Sequence, residues 1–221
     1  MKNQKRVTLF AGHYGSGKTN VAVNYALFLK RSGENPIIAD LDIVNPYFRT
    51  KDSREELEAA GIRLICSEYA NTNVDIPALP ADLYTITDNK AQKAVLDIGG
   101  DDRGALALGR LTPALREEND YQMLMVINCY RPLTRDAGST LEAMREIEAA
   151  AGIPFTGLVN NSNLGALTTA DDVLASLAYA DAVSALSGLP VVMTTVMDGL
   201  FSALEGSIPD LFPLTLQKKI C

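Results

Sequence analysis

Residues 10–20 read FAGHYGSGKTN. The stretch contains G-x-x-x-x-G-K-[ST], with Gly12, Gly17, Lys18 and Thr19 in the fixed places. Gly12, Gly15 and Gly17 permit backbone turns that point successive N–H groups inward. Those donors, with the N-terminus of a following helix, make an anion site. Lys18 is expected to reach the β- and γ-phosphates of a nucleotide, and the Thr19 hydroxyl to hold Mg²⁺. The flanks suit the motif. RVTLFAG before it reads as a buried strand, and TNVAVNYALFLKR after it as an apolar helix. His13, the one histidine of the chain, takes the second loop position, followed by Tyr14, Gly15 and Ser16.

Working outward, six more apolar runs read as strands: NPIIAD, IRLIC, KAVLDIGG, YQMLMVINC, PFTGLVNN and PVVMTTV. Helices are expected in SREELEAAG, capped by Ser53, and near 102–117, 135–151 and 170–187. Four junctions end a helix at a glycine just before a strand: Gly33, Gly61, Gly152 and Gly188. The apolar runs lack strict alternation, as strands covered on both faces do. The pattern predicts one α/β domain over residues 1–221. Its fold is a three-layer, doubly wound, mostly parallel sheet of about seven strands, the P-loop NTPase fold. The segment 67–93, rich in Asn, Asp and Pro, reads as a loop with a short helix.

Composition narrows the function classes. A chain of 221 residues with 47% hydrophobic residues can bury a sizeable core. The net charge of −7 argues against a broad nucleic-acid-binding face. Cys66, Cys129 and Cys221 lie far apart, so neither a disulfide framework nor a zinc ribbon is expected, and a reducing cytoplasm fits. No run approaches the roughly 20 apolar residues that span a bilayer, so no membrane association is expected.

Two further acidic sites support a nucleotide. The second strand ends in IIADLD, bringing Asp40 and Asp42 to its carboxyl end, where ligands of open α/β sheets bind. At least one of this pair is expected to cap the strand-to-loop turn. The fourth strand ends in VLDIGG. Asp97 there is placed to take a Mg²⁺-bound water or to position Thr19, and the Gly99 and Gly100 backbone to approach the γ-phosphate.

The loop, DLD and DIGG together resemble the MinD/ParA-type P-loop ATPases, over nearly the whole chain. That resemblance implies ATP or ADP with Mg²⁺ as the ligand. It implies phosphate contacts from the loop residues Gly12 to Thr19, with Asn20 following. It makes Asp42 the acid that orients or deprotonates the attacking water, close to the metal, and Asp97 the second acid near Mg²⁺. Asn161, at the end of the sixth strand, would read adenine, with Asn160 as the neighbouring alternative. VNNSN lacks the N-K-x-D guanine signature. The family's second loop residue is usually a lysine that crosses a nucleotide-sandwich dimer. With His13 there, three readings stand: His13 acts across the dimer, Arg49 or Arg103 replaces the lysine, or no sandwich forms.

The function that follows is a slow Mg-dependent ATPase switch, with a nucleotide-dependent homodimer and a further protein partner as its binding partners. Two alternatives sit on the same scaffold. One is a small-molecule kinase or ligase of the dethiobiotin synthetase type, with segment 67–93 as acceptor pocket. The other is a non-catalytic nucleotide-binding module.

Overall fold

The computed structural model describes residues 4–42, 50–66, 81–99 and 108–217. Eight parallel strands form one sheet: β1 (Val7–Ala11), β2 (Ile37–Leu41), β3 (Arg63–Cys66), β4 (Ala94–Ile98), β5 (Tyr121–Ile127), β6 (Gly157–Asn160), β7 (Val191–Met197) and β8 (Leu211–Leu214). Their order across the sheet is β3-β2-β4-β1-β5-β6-β7-β8. Each neighbouring pair is parallel. The chain therefore starts in the middle, winds out to one edge through β2 and β3, and returns through β4 to build the other half.

Strand side chains alternate between two cores, because successive residues of a strand point to opposite faces. Val7, Leu9 and Ala11 of β1 join Ile37, Ala39, Leu96, Met123 and Met125 on one face. That face is covered by α4 (Thr112–Glu118), α5 (Ala137–Ala151) and α7 (Leu177–Ser187), through Leu115, Met144, Ile147 and Val183. Phe10, Ile38, Val95, Leu124 and Val126 occupy the other face, under α1 (Lys18–Arg31) and α2 (Arg54–Ala59). The remaining helices are α3 (Thr85–Asp88), α6 (Ala170–Ala175) and α8 (Asp198–Leu204). Layering on both faces explains why the apolar runs do not alternate in polarity.

The junction glycines Gly33, Gly61, Gly152 and Gly188 all have positive φ, between 68° and 89°. Three features depart from the sequence reading. Ser53 precedes α2 without a side-chain cap; its hydroxyl instead accepts from Gln217 Nε2 at 2.5 Å. The helix expected over 170–187 is two helices, broken at Ser176, whose hydroxyl donates to the Val173 carbonyl and accepts from Asn160 Nδ2. An eighth strand, β8, lies where the chain's last apolar stretch carries Pro213. As the edge strand, β8 tolerates a residue with no N–H to donate. Phe212 of β8 packs edge-on against Phe28 of α1, ring centroids 5.6 Å apart, and also meets Tyr25.

Candidate functional site

The carboxyl ends of β1, β4 and β2 converge because these strands are adjacent. Asp40 is the register partner of Asp97, and Phe10, near the end of β1, is also paired with Asp97. The loop between β1 and α1 therefore sits directly above the acids. Its first glycine is required by packing: a Cβ on Gly12 would come 2.5 Å from the Val126 carbonyl oxygen of β5. Gly17 has φ 85° as the residue before α1, and a Cβ there would collide with the Asn161 amide. In the left-handed region an L side chain is strained in any case.

Lys18 and Thr19 open α1 and are both buried. The Lys18 ammonium donates to Asp42 Oδ2 at 2.6 Å, an ion pair 3% and 5% exposed at its two residues. Burial opposes the ammonium charge. The carboxylates of Asp97, Asp42 and Asp40 outweigh it and hold the Lys18 pKa above its ordinary value. Asp97 is wholly buried, and burial pushes its carboxyl up to about 6. The Lys18 ammonium and the Thr19 hydroxyl work against that rise, Asp42 adds to it, and the Thr50 hydroxyl, donating to Oδ2 at 2.9 Å, opposes it. Asp40 caps the turn, its Oδ1 accepting from the Asp42 backbone N–H at 3.0 Å.

Two buried oxygens have no hydrogen-bond partner among the described residues: Ser16 Oγ in the loop and Asp97 Oδ1 beneath it. A buried polar atom without a partner is costly, and a ligand that supplies one relieves the cost. Ser16 Oγ suits a phosphate oxygen, and Asp97 Oδ1 suits a metal-bound water. Among the described residues no group of three or more His, Cys, Asp and Glu side chains is arranged to hold a metal ion by itself. The donor set fits Mg²⁺ that arrives with a polyphosphate, with Thr19, Asp42 and Asp97 as its protein neighbours.

A cavity of about 440 Å³ opens over the loop. Tyr14, Gly15, Gly17, Lys18, Thr19 and Asn20 line its loop end. Asn161, Asn163, Gly165, Leu216 and Gln217 continue it, and Arg131 lies at its side. His13 Nδ1 is 3.1 Å from the Tyr14 carbonyl, placed to donate to it, and Tyr14 is 57% exposed. Asn20 Oδ1 accepts from the Gln217 backbone N–H at 3.0 Å. Asn161 uses its side-chain amide inside the protein: Nδ2 donates to the Ser16 carbonyl at 2.6 Å, and Oδ1 accepts from the Thr195 hydroxyl at 2.5 Å. Asn160 is also engaged, by Ser176 and by the Ser162 N–H. Gly100, Arg49, Arg103 and residues 67–80 lie outside the described residues. Among the described residues no helix is long and apolar enough to cross a membrane.

Sequence reasoning did not single out Arg131. Its Nε donates to the Gly15 carbonyl at 2.8 Å. The signal was an arginine four residues after the end of an apolar strand. It becomes legible only once β5 is known to lie beside β1, which sets the turn after β5 against the phosphate loop.

No family model matches the chain, and no curated protein matches it in sequence. Solved structures do share its fold. FtsY from Mycoplasma mycoides aligns over 89% of this chain and 61% of its own, at 17% identity and TM-score 0.56. FtsY, the signal recognition particle receptor of Elizabethkingia anophelis, determined with GDP, aligns over 89% and 58% at 13% identity and TM-score 0.51. The 54 kDa signal recognition particle protein of Aeropyrum pernix, also with GDP, aligns over 88% and 42% at 15% identity and TM-score 0.52. The chain thus spans about three-fifths or less of the length of these structures. At such identities the likeness establishes the three-layer P-loop NTPase fold.

The comparison also corrects the nucleotide reading. The expected MinD/ParA-type ATPase, with ATP or ADP as cofactor, is overturned: the matching structures are FtsY and signal recognition particle chains, two of them holding GDP. The physical reason for the error lies in the motifs. Loop, lysine and acids address phosphates and metal, which adenine and guanine nucleotides share. Asn161, the residue expected to read adenine, spends its amide on Ser16 and Thr195.

Proposed function

We propose that the chain is a guanine-nucleotide switch that binds GTP with Mg²⁺ and hydrolyses it slowly. The observation that supports it best is the buried meeting of Lys18, Asp42 and Asp97 beneath a strand-to-helix glycine loop, on a fold shared with GDP-bound structures. In this reading the N–H groups of residues 15–19 and the Lys18 ammonium bind the β- and γ-phosphates. Mg²⁺, when bound, neutralises developing charge on the phosphate oxygens. Thr19 holds its hydroxyl toward the metal. Asp97, once ionised, accepts from a water there. Asp42 leaves Lys18 as the γ-phosphate arrives and orients the attacking water. The base occupies the end of the cavity walled by Asn163, Gly165, Leu216 and Gln217, in a chain without an N-K-x-D motif.

A switch needs a reader. Tyr14 of the cavity lining is exposed, as are Leu164 and Leu167, close in sequence to the lining residue Gly165, and Leu133, two residues beyond Arg131. Apolar groups gathered around a ligand mouth suit a protein partner that binds when the site is occupied.

The test is nucleotide binding and turnover with purified protein. GTP and GDP should bind in preference to ATP and ADP, and Mg²⁺ should be needed for slow phosphate release from GTP. Lys18→Ala should abolish both. Faster turnover of ATP than of GTP, or no binding of GTP at all, sinks the proposal.

A further inference from the structure

The cavity lining carries two cationic side chains, Lys18 and Arg131. Lys18 is already surrounded: it faces Asp97, Asp42 and Asp40, three carboxylates against one ammonium. A polyphosphate adds further negative charge beside that cluster, and besides Lys18 the lining offers Arg131 as a protein cation. Arg131 follows β5, which flanks β1 on the side away from β4 and β2, the strands that lead to the acids. It is held in place by a single bond, from Nε to the Gly15 carbonyl. A guanidinium has five N–H donors. Among the described residues, Nη1 and Nη2 of Arg131 meet no protein acceptor. The side chain also lies close over Gly15, whose added Cβ would sit 3.6 Å from Arg131 Cδ and Nε. The stem is thus fixed against the loop backbone while the charged fork stays unspent beside the cavity.

We propose that Arg131 contacts the phosphates of the bound nucleotide and supplies, from within the same chain, the second cationic side chain of the site. The inference rests on reading this cavity as a nucleotide site and deepens it. His13, at the second loop position, turns back to the Tyr14 carbonyl and leaves the anion to Arg131. Arginine suits the position because its planar fork can bond the loop carbonyl and an anion together.

The probe is inorganic tripolyphosphate, which carries the anion without a base. Calorimetric affinities are measured for the wild-type chain and for Arg131→Lys, Arg131→Gln and Arg131→Ala, at low and high salt, with GTP in parallel. The charge-keeping lysine variant should bind tripolyphosphate within about threefold of wild type. The glutamine and alanine variants should weaken it at least tenfold at low salt and show a flatter salt dependence, since screening then has one less charge to act on. Equal loss in the lysine and glutamine variants would mean that Arg131 only braces the Gly15 carbonyl, and overturns the proposal. So does wild-type affinity in the alanine variant, or no tripolyphosphate binding by the wild-type chain. If tripolyphosphate binding depends on the charge at 131 but GTP is not preferred over ATP, the Arg131 assignment stands and the guanine reading falls.

Discussion

Asp42→Asn removes a charge that competes with the nucleotide. Lys18 and Asp42 meet at 2.6 Å in a buried setting. At an effective dielectric of about 20, that separation corresponds to roughly 6 kcal/mol of Coulomb attraction. A phosphate that recruits Lys18 must loosen the pair. If a quarter of the attraction is forfeited on binding, the cost is about 1.5 kcal/mol, a little over tenfold in affinity. The asparagine variant pays no such cost. Lys18 keeps Asp97 and Asp40 as partners, so the variant should fold with a smaller penalty than the roughly 3–5 kcal/mol of a buried charge left alone. The assay is GDP binding in EDTA, where any role of Asp42 near Mg²⁺ is absent. Asp42→Asn should bind GDP about tenfold more tightly than wild type. With Mg²⁺ and GTP, the same variant should turn over more slowly. Unchanged or weaker GDP affinity without metal would refute the idea that Asp42 holds Lys18 against the ligand.

Other outcomes follow from the same geometry. Asp97, raised from 3.8 to about 6 by burial, binds its proton more readily in the folded chain than in the unfolded one. Stability should therefore fall as pH rises from about 4 to about 6, by an amount of order 3 kcal/mol relative to Asp97→Asn, in paired denaturant titrations. Identical pH profiles would remove the buried carboxyl as the cause. Mg-dependent nucleotide affinity should rise through the same window, as Asp97 becomes ionised. Gly17→Ala should destabilise by roughly 1–3 kcal/mol and weaken nucleotide binding more than tenfold, because the left-handed backbone and the Asn161 amide both oppose a methyl group there. Wild-type binding in that variant would show the loop to be adaptable. Asn24→Ala should cost about 1–3 kcal/mol in chemical denaturation, since Asn24 donates to the Thr215 carbonyl and accepts from its N–H, each at 2.9 Å.

Most of the architecture was legible because its signals are local. Gly12 to Thr19 announce the turn, and the apolar run before Asp97 announces a central strand. Gly33, Gly61, Gly152 and Gly188 each end a helix as only glycine does cheaply. What escaped depends on neighbours distant in sequence. Pro213 argues against a strand unless the strand is known to be an edge. Ser53 looks like a cap until Gln217 claims its hydroxyl. Arg131 acquires meaning from the β1–β5 pairing. Asp40, Asp42 and Asp97 were singled out by their place at strand ends, and the structure gathers them around Lys18. The base was misread because phosphate chemistry is common to all nucleoside triphosphates, and one asparagine cannot stand for a base when its amide is engaged elsewhere.

The strap from β8 back to α1 has a consequence for the order in which the protein matures. Asn20 grips Gln217 and Asn24 grips Thr215, pairs 197 and 191 residues apart. The ligand mouth is thus stitched from the two ends of the described chain. Contacts that close so long a loop form late, after their entropic cost has been met by the rest of the sheet. A nascent chain emerging from the ribosome would carry its phosphate loop early yet leave the cavity open on one side until Leu216 and Gln217 emerge. Competence to hold a nucleotide would then wait until synthesis has run through β8 and the strap behind it.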